Sequence, residues 1–248
     1  MTEPLHPTTA AAAARFALTH WSAVLRAGDQ DSRIASDALE ELCRIYWFPL
    51  YAFARHRGCS PADAEDLTQA FFARLLERNS VARADPAKGR FRTFLLTLFK
   101  RFLANEWNRE HAQKRGGFQP VVSIEAPLAE SRLLAEPAHT EQPDVLFERQ
   151  WAMTLLDQVM KRLEEEYKGS GRGRLFEHLE TCLVRDAAAL PYAEIAARLK
   201  LSEAAVKMAM QRLRARYQAI LREEIGKTVA SPEEVELELR DLFDVFRH

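Results

Sequence analysis

The chain has 248 residues, of which 47% are hydrophobic and 29% are charged, and its formal net charge is −1. This mixture is typical of a soluble globular protein and argues against a fibrous or largely disordered chain. No apolar run approaches the roughly 20 residues that a membrane-spanning helix needs, and no Gly-rich phosphate-binding motif occurs among the 9 glycines.

The N-terminal part of the sequence predicts a tail followed by a helix. Residues 1–15 are rich in alanine, threonine and proline and lack the basic start of a signal peptide. This composition predicts a disordered tail and a cytoplasmic location. Apolar residues at three- and four-residue steps then predict a helix from Ala38 to Arg57, which Pro49 should kink or interrupt.

Two further helices follow, the first with a clear start signal. Ser60 and Pro61 are typical of an N-cap and a first helical position, so a helix is expected from there to about Arg78. Residues 79–89 contain proline and glycine and predict a loop. A long helix is expected over about 91–114, where large apolar residues recur at helical spacing.

A weakly periodic stretch separates the two halves of the sequence. Residues 116–145 hold two adjacent glycines, four prolines and several acidic residues, which together predict a linker. Its one strand-like pattern covers 121–124. Helical periodicity resumes near Asp144, is broken by the glycines of 169–173, and returns over about 175–184.

Residues 191–225 form the most informative pattern. A short helix over 192–199 is followed by a three-residue turn, and Ser202 is placed to cap a second helix that begins at Glu203. Lys200, in this turn, must adopt a left-handed conformation that glycine takes more easily. The second helix is apolar on one face and basic on others, which is typical of a helix-turn-helix. A plain antiparallel helix pair is the alternative.

Basic residues concentrate in two blocks, although the net charge is close to zero. Residues 90–115 hold seven lysines and arginines against two acids, and residues 198–222 hold seven against one. Two such blocks favour two surfaces that face nucleic acid. Each block alone is also compatible with an ordinary solvated helix face.

Three stretches resemble the sigma-70 family of bacterial sigma factors, specifically the extracytoplasmic-function group. Residues 63–72, Asp-Ala-Glu-Asp-Leu-Thr-Gln-Ala-Phe-Phe, are similar to the family's polymerase-binding helix. Residues 91–109 are similar to the segment that recognises the −10 promoter element and helps to open it. Residues 191–214 look like the domain that reads the −35 element. The resemblance covers about 16–227 and implies core RNA polymerase and promoter DNA as partners.

With this resemblance, we predict an all-α fold of two small helical domains joined by a linker, the second containing a helix-turn-helix. The predicted limits are 1–15 for the disordered tail, 16–115 for a sigma region 2-like domain, 116–145 for the linker, 146–227 for a sigma region 4-like domain, and 228–248 for a C-terminal helical extension.

The resemblance also implies three sets of site residues. The polymerase-binding set is Asp63, Glu65, Asp66, Gln69 and Phe72. The set for the −10 element is Arg90, Phe91, Arg92, Lys100, Arg101, Asn105, Asn108 and Arg109. The set for the −35 element is Ser202, Glu203, Ala205, Lys207, Gln211, Arg212 and Arg214. Phe91 and Trp107 are candidates for stacking on bases, but a core position is more typical of aromatics at helical spacing, and we expect one for Trp107.

The charges of these sets agree with the implied partners. An acidic helix face suits a basic protein groove and would repel DNA, although acids in a first helical turn are also favoured by the helix dipole. Ala70 stands where the family usually has glutamate, so a phosphate on Thr68 would restore the missing charge. Thr68 is therefore a candidate phosphorylation site for a regulatory kinase, with an unmodified helix threonine as the favoured interpretation. An anti-sigma factor is a further candidate partner.

The C-terminal extension predicts one more amphipathic helix. Ser231 and Pro232 start it, and its apolar residues share one face with Val235 and Leu239. Docking on the chain's own domains is favoured over docking on a partner, because an exposed stripe of this size invites aggregation. We expect the tail to mask a basic surface until a signal releases it.

Two other functional classes compete with a sigma factor. A stand-alone helix-turn-helix regulator would bind duplex DNA without polymerase and would have no use for the helix at 63–72. An enzyme is disfavoured, because His56 and Cys59 lack a partner acid and no metal-binding spacing accompanies Cys43, Cys59 and Cys182. We expect reduced thiols, no catalytic residue, no metal and no cofactor.

Overall fold

Helices form all the regular secondary structure in the part of the chain that the computed structural model describes, namely residues 32–77, 90–113, 126–134, 142–184, 192–229 and 231–247. The helices are α1 (Ser32–His56), α2 (Pro61–Glu77), α3 (Phe91–Gln113), α4 (Ala126–Leu134), α5 (Pro143–Gly169), α6 (Gly173–Val184), α7 (Tyr192–Leu199), α8 (Glu203–Gly226) and α9 (Val235–Asp244), with a 3₁₀ turn at Pro232–Glu234. The predicted all-α fold is therefore confirmed. The predicted tail, the loop at 79–89 and the strand-like pattern at 121–124 lie outside the described residues.

Contacts group the described residues into two compact units. The first holds the described residues up to Thr154 together with those from Ile225 onward, and the second is Leu155–Glu224. The C-terminal helix α9 thus belongs to the same unit as α1 to α4. No helix in the described ranges is long and apolar enough to cross a membrane.

Aromatic rings form the centre of the first unit. Phe53 of α1, Phe71 of α2 and Phe99 of α3 are fully or almost fully buried. Their rings meet edge-on, with centroids 5.0 Å apart for Phe71 and Phe99 and 6.1 Å apart for Phe53 and Phe99. This geometry favours aromatic pairs beyond the burial of their area, so the three helices are held in a fixed register.

Of the two effects predicted for Pro49, a kink or an interruption of α1, the interruption does not occur, because the helix runs through the proline. A proline inside a helix removes one backbone hydrogen bond and costs about 3 kcal/mol. Leu50 and Phe53, just beyond it, are fully buried, as is Tyr46 before it. Each such burial contributes roughly 1.5–3 kcal/mol, so the three residues together stabilise the helix by more than the proline costs.

The start of α2 is capped as its sequence predicted. The backbone N–H of Asp63 donates a hydrogen bond to Ser60 Oγ at 3.1 Å, and the Ser60 hydroxyl donates to Asp63 Oδ2 at 2.6 Å. Pro61 occupies the first helical position, where its missing N–H is no loss.

The predicted linker contains a helix that the sequence did not indicate. Tyr51 Oη donates to Glu130 Oε1 of α4 at 2.6 Å, and Arg55 Nε donates to the same oxygen at 2.5 Å. The hydrogen bond from Arg55 is the largest cause of a lowered pKa of Glu130. Arg132 places its guanidinium 4.2 Å from the Phe48 ring centroid. These contacts to distant residues dock α4 on α1, despite its weak apolar pattern.

The second unit is built around α5, α6, α7 and α8. Leu163, Phe176, Ile195 and Leu213 lie in its interior. At its surface, Arg216 makes a two-pronged ion pair with Glu166, with both N···O distances at 2.7 Å. Apolar packing therefore closes this unit, and the ion pair fixes α8 against α5.

The turn between α7 and α8 has the strained residue that the sequence predicted. Lys200 has φ of 55°, and it is the one non-glycine residue with positive φ in the described ranges. Leu201 N–H donates to Ala196 O at 2.9 Å and so closes the end of α7. Ala205 N–H donates to Ser202 Oγ at 3.2 Å, which confirms Ser202 as the cap of α8.

Replacing Lys200 by glycine should stabilise the second unit. A left-handed conformation costs a non-glycine residue about 1 kcal/mol, which the gain in unfolded-state entropy of glycine partly offsets. We expect Lys200→Gly to raise the free energy of unfolding by about 0.5 kcal/mol in urea titrations. The matched control is Ala197→Gly inside α7, which should instead lower it by about 1 kcal/mol. Destabilisation by Lys200→Gly would show that the turn is not strained.

Candidate functional site

Only part of the predicted polymerase-binding set lies at the surface of α2. Asp63 and Gln69 are exposed and Asp66 is half-buried. Glu65 and Phe72 are buried, and Gln69 Nε2 donates to Glu65 Oε1 at 3.2 Å. The acidic face that can meet a partner is therefore narrower than the sequence indicated, and it rests on Asp63, Asp66 and Gln69.

Thr68 lies on the inner side of α2. Its side chain is 0% exposed, and its hydroxyl donates to the Ala64 carbonyl oxygen at 2.6 Å. A kinase needs the hydroxyl in its own active site, so phosphorylation would first require α2 to move. This placement weighs against a switch at Thr68.

The first turn of α3 is covered by other parts of the first unit. Phe91 is fully buried, and its ring meets the Tyr46 ring at 5.4 Å. Arg92 is 3% exposed, its guanidinium lies 4.2 Å from the Trp151 ring centroid, and it pairs with Glu148. Burial lowers the pKa of Arg92 from its usual value, against the opposing effect of Glu148. Neither residue can touch DNA in this arrangement.

Farther along α3, the predicted residues form an exposed polar stripe. Arg101, Asn105 and Asn108 follow at steps of four and three residues and are all exposed, so they share one side of the helix. Arg109 is also exposed and pairs with Glu106 at 3.0 Å. Lys100 is exposed as well, on the adjoining side, where it meets Asp144 at 2.5 Å.

Trp107 is exposed, and the expectation of a core position for it is wrong. Its exposed fraction is 62%, the largest among the big apolar side chains in the described ranges. It lines a cleft of about 860 Å³ in the first unit, together with Lys100, Asn108 and Asp144. Helical spacing predicted a core position, but Trp107 lies more than one turn beyond Phe102, the last residue of α3 that is buried in the described part of the chain.

The predicted −35 residues share the exposed surface of α8. Val206, Met210 and Leu213 face inward. The residues left exposed include the whole predicted set: Ser202, Glu203, Ala205, Lys207, Gln211, Arg212 and Arg214. Lys207 Nζ pairs with Glu203 at 2.8 Å, and a hydrogen bond to Glu203 raises the pKa of Lys207. Met208 is an exposed apolar residue among them.

Comparison with known families bears on the first of these surfaces. Residues 49–113 match the family model of Sigma-70 region 2. This segment is similar to a sigma-70 region 2. No curated protein and no solved structure matches the chain. The match covers about a quarter of the chain, from Pro49 in the last third of α1 to the end of α3.

The region 2 match supports a sigma factor of the sigma-70 family, with a role in promoter recognition and transcription initiation. It implies core RNA polymerase and promoter DNA as partners. The exposed acidic residues of α2 and the polar stripe of α3 both lie inside the matched segment. The α7–α8 pair lies outside it, so its role rests on geometry and charge alone.

Sequence reasoning missed the residues that surround region 2. Arg74 of α2 meets Glu106 of α3 at 3.1 Å and lies over the Phe102 ring at 5.7 Å, so it ties the two helices together. Glu148 and Glu238 cover the first turn of α3. These contacts join residues far apart in the chain, and no local pattern could have indicated their partners.

Proposed function

We propose that the chain is a non-catalytic specificity subunit of RNA polymerase, of the extracytoplasmic-function group, that acts in the cytoplasm. It binds core polymerase through α2, recognises the −10 element through α3 and reads the −35 element through α8. The observation that carries this proposal is the match to region 2 within the first compact unit. The second unit follows it in the chain and exposes basic side chains along α8.

Residues 16–115 would supply region 2 and residues 146–227 would supply region 4, with α4 docked on region 2 within the connecting stretch. The first turns of α5, up to Thr154, group with region 2. An anti-sigma factor and a kinase stay predictions.

The surface of α2 supports docking on a basic protein groove. Asp63 and Asp66 place two carboxylates at the surface near the helix start. These carboxylates and a DNA backbone are both negative and would repel each other. A basic groove on the polymerase would attract the carboxylates and set the register of docking. Core polymerase, and not DNA, is therefore the partner of this face.

The exposed stripe of α3 supports contact with the −10 element. Arg101 and Arg109 can neutralise phosphates, and the amides of Asn105 and Asn108 offer both donors and acceptors to base edges. Trp107 lies beside this stripe with its ring open to solvent. Positive charge combined with an exposed aromatic ring is the arrangement that holds single-stranded nucleic acid.

The geometry of the second unit supports reading of duplex DNA. A helix that is capped by Ser202, anchored by Val206 and exposed along Lys207 and Gln211 can lie in a major groove. Arg212 and Arg214, which follow Gln211 on the same helix, would meet phosphates. The two units would thus contact separate promoter elements.

Reconstituted transcription tests the proposed function. The purified chain is added to core RNA polymerase on sheared genomic DNA, and the 5′ ends of the transcripts are sequenced. We expect new start sites with shared elements centred near −10 and −35. Transcripts no different from those of core polymerase alone, with duplex binding by the isolated chain, would instead favour a stand-alone regulator.

Trp107→Ala should weaken promoter opening without unfolding the protein. Stacking of one base on an aromatic side chain is worth roughly 1–3 kcal/mol, so we expect binding of single-stranded −10 DNA by the polymerase complex to fall about tenfold. Because the ring is 62% exposed, the free energy of unfolding should change by no more than about 0.5 kcal/mol. Trp107→Phe is the control and should retain most of the affinity. Equal affinity of wild type and Trp107→Ala would remove Trp107 from the site.

A further inference from the structure

The C-terminal helix α9 is docked on its own chain by one face. Val235, Leu239 and Leu242 on that face are buried, and Glu238 between them is 1% exposed. A carboxylate is rarely buried this deeply unless it is paired, because the loss of hydration is costly. The partners of Glu238 therefore identify the surface that α9 covers.

Those partners are two arginines at the start of α3. Arg90 Nε lies 2.9 Å from Glu238 Oε2, and Arg92 pairs with the other oxygen of the same carboxylate. One turn farther along α9, Asp241 pairs with Arg90. Glu238 and Asp241 thus form an acidic pair, three residues apart, that faces the two guanidinium groups.

Both guanidinium groups belong to the predicted −10 set. Carboxylate and phosphate oxygens bind arginine through the same charged, often two-pronged hydrogen bonds. A DNA phosphate at Arg90 would need the place that Glu238 and Asp241 now occupy. The rest of the set, including Arg101, Asn105 and Arg109, stays exposed on the same helix.

We propose that α9 is a built-in competitor for nucleic-acid phosphates at the start of α3, so that the docked tail holds the protein in a state of low DNA affinity. This inference rests on the proposed function, because it takes α3 as the DNA-binding helix. In the closed state, with α9 docked, its carboxylates bind the arginines at the start of α3. In the open state, with α9 released, DNA phosphates bind the same arginines through the same kind of anionic oxygen.

Competition for one surface makes the two events reciprocal. As long as the closed state predominates, a change that weakens the docking of α9 raises the affinity for DNA by the same factor, and DNA that occupies the surface favours the release of α9. The buried apolar residues of α9 stabilise the closed state. The acidic pair makes this state compete with DNA, because it binds the same arginines.

Charge reversal at Asp241 tests the competition. Asp241→Arg places a cation opposite Arg90, at a position that is about 40% exposed and so tolerates substitution. The matched control is Asp244→Arg on the same helix, which makes the same change in net charge. Asp244 pairs with Arg247, three residues along, at an exposed site. The full-length proteins are compared by fluorescence anisotropy with a short single-stranded DNA of mixed sequence.

We expect Asp241→Arg to bind this DNA about tenfold more tightly than Asp244→Arg does, within the usual range of coupling between sites. Hydrogen exchange should also rise at residues 90–95 and 235–242 in Asp241→Arg alone. Glu238→Gln combined with Asp241→Asn provides a second variant, which removes the acidic pair without adding a cation and should also bind more tightly than wild type.

The outcomes separate the inference from the proposed function. Equal DNA binding by Asp241→Arg and Asp244→Arg, with core polymerase still bound by both, overturns the competition and leaves the sigma-factor role standing. Failure of every variant to bind both DNA and core polymerase overturns the two together. Tighter binding that survives Arg90→Ala in the Asp241→Arg background would also overturn the inference, because the gain would then not arise at the start of α3.

Discussion

Core RNA polymerase should lose most of its affinity for the chain when Asp66 is changed to arginine. Asp66 is half-buried at the surface of α2, near the exposed Asp63 and Gln69. A cation facing the basic groove of a partner converts an attraction into a like-charge contact, which costs several kcal/mol at an interface. We expect the binding free energy to weaken by about 2 kcal/mol, which raises the dissociation constant roughly thirtyfold.

Binding of the purified chain to immobilised core polymerase measures this effect. Glu180→Arg is the matched control, because it makes the same charge change at an exposed position of α6 in the second unit. Asp66→Asn should give an intermediate affinity. If Asp66→Arg bound as tightly as Glu180→Arg, α2 would not be the docking helix. The acids at its start would then be explained by their favourable interaction with the helix dipole.

Replacing Arg92 by methionine should produce the largest loss of stability. The substitution leaves Glu238, which is 1% exposed, without one of its two cationic partners and removes the guanidinium from the Trp151 ring. Breaking a buried ion pair from one side costs about 3–5 kcal/mol. Because the chain is long, a loss of about 3 kcal/mol corresponds to a fall in Tm of roughly 6–12 °C.

A double-mutant cycle identifies the cause of this loss. Combining Arg92→Met with Glu238→Leu removes both charges, so most of the lost stability should return, since an apolar replacement of a whole buried pair is often neutral. Arg240→Met on the exposed side of α9 is the control and should change the free energy of unfolding by less than about 0.5 kcal/mol. A double variant as unstable as Arg92→Met alone would show that the loss comes from packing, not from the orphaned carboxylate.

The two predictions address opposite properties of the same domain. Asp66 lies on a surface of the region 2 segment that a partner can reach. Arg92 lies where α9 of the same chain covers that segment. A residue set that the sequence treats as one DNA-binding segment thus divides into an exposed stripe and a covered first turn. The covered first turn is the part that release of α9 would expose.

Local chemistry made much of the fold predictable. The caps at Ser60 and Ser202, the break at residues 169–173 and the left-handed Lys200 each depend on residues within a few positions of one another. Helix periodicity likewise reports on one element at a time, so the helices of the second unit were predicted to within a few residues. Local signals of this kind do not need knowledge of the partners.

The sequence by itself determined the helical elements, their caps and turns, and the segregation of charge into two basic blocks, because these depend on spacing and side-chain chemistry along one short stretch. Only the tertiary structure decided which of those side chains reach solvent. It left Trp107 exposed, buried Phe72 and Thr68, ordered α4 through Glu130, and covered Arg92 with α9. The physical reason is that burial and ion pairing join residues up to about 150 positions apart, as Arg90 and Asp241 show, and their free energy is set by packing that no local pattern encodes.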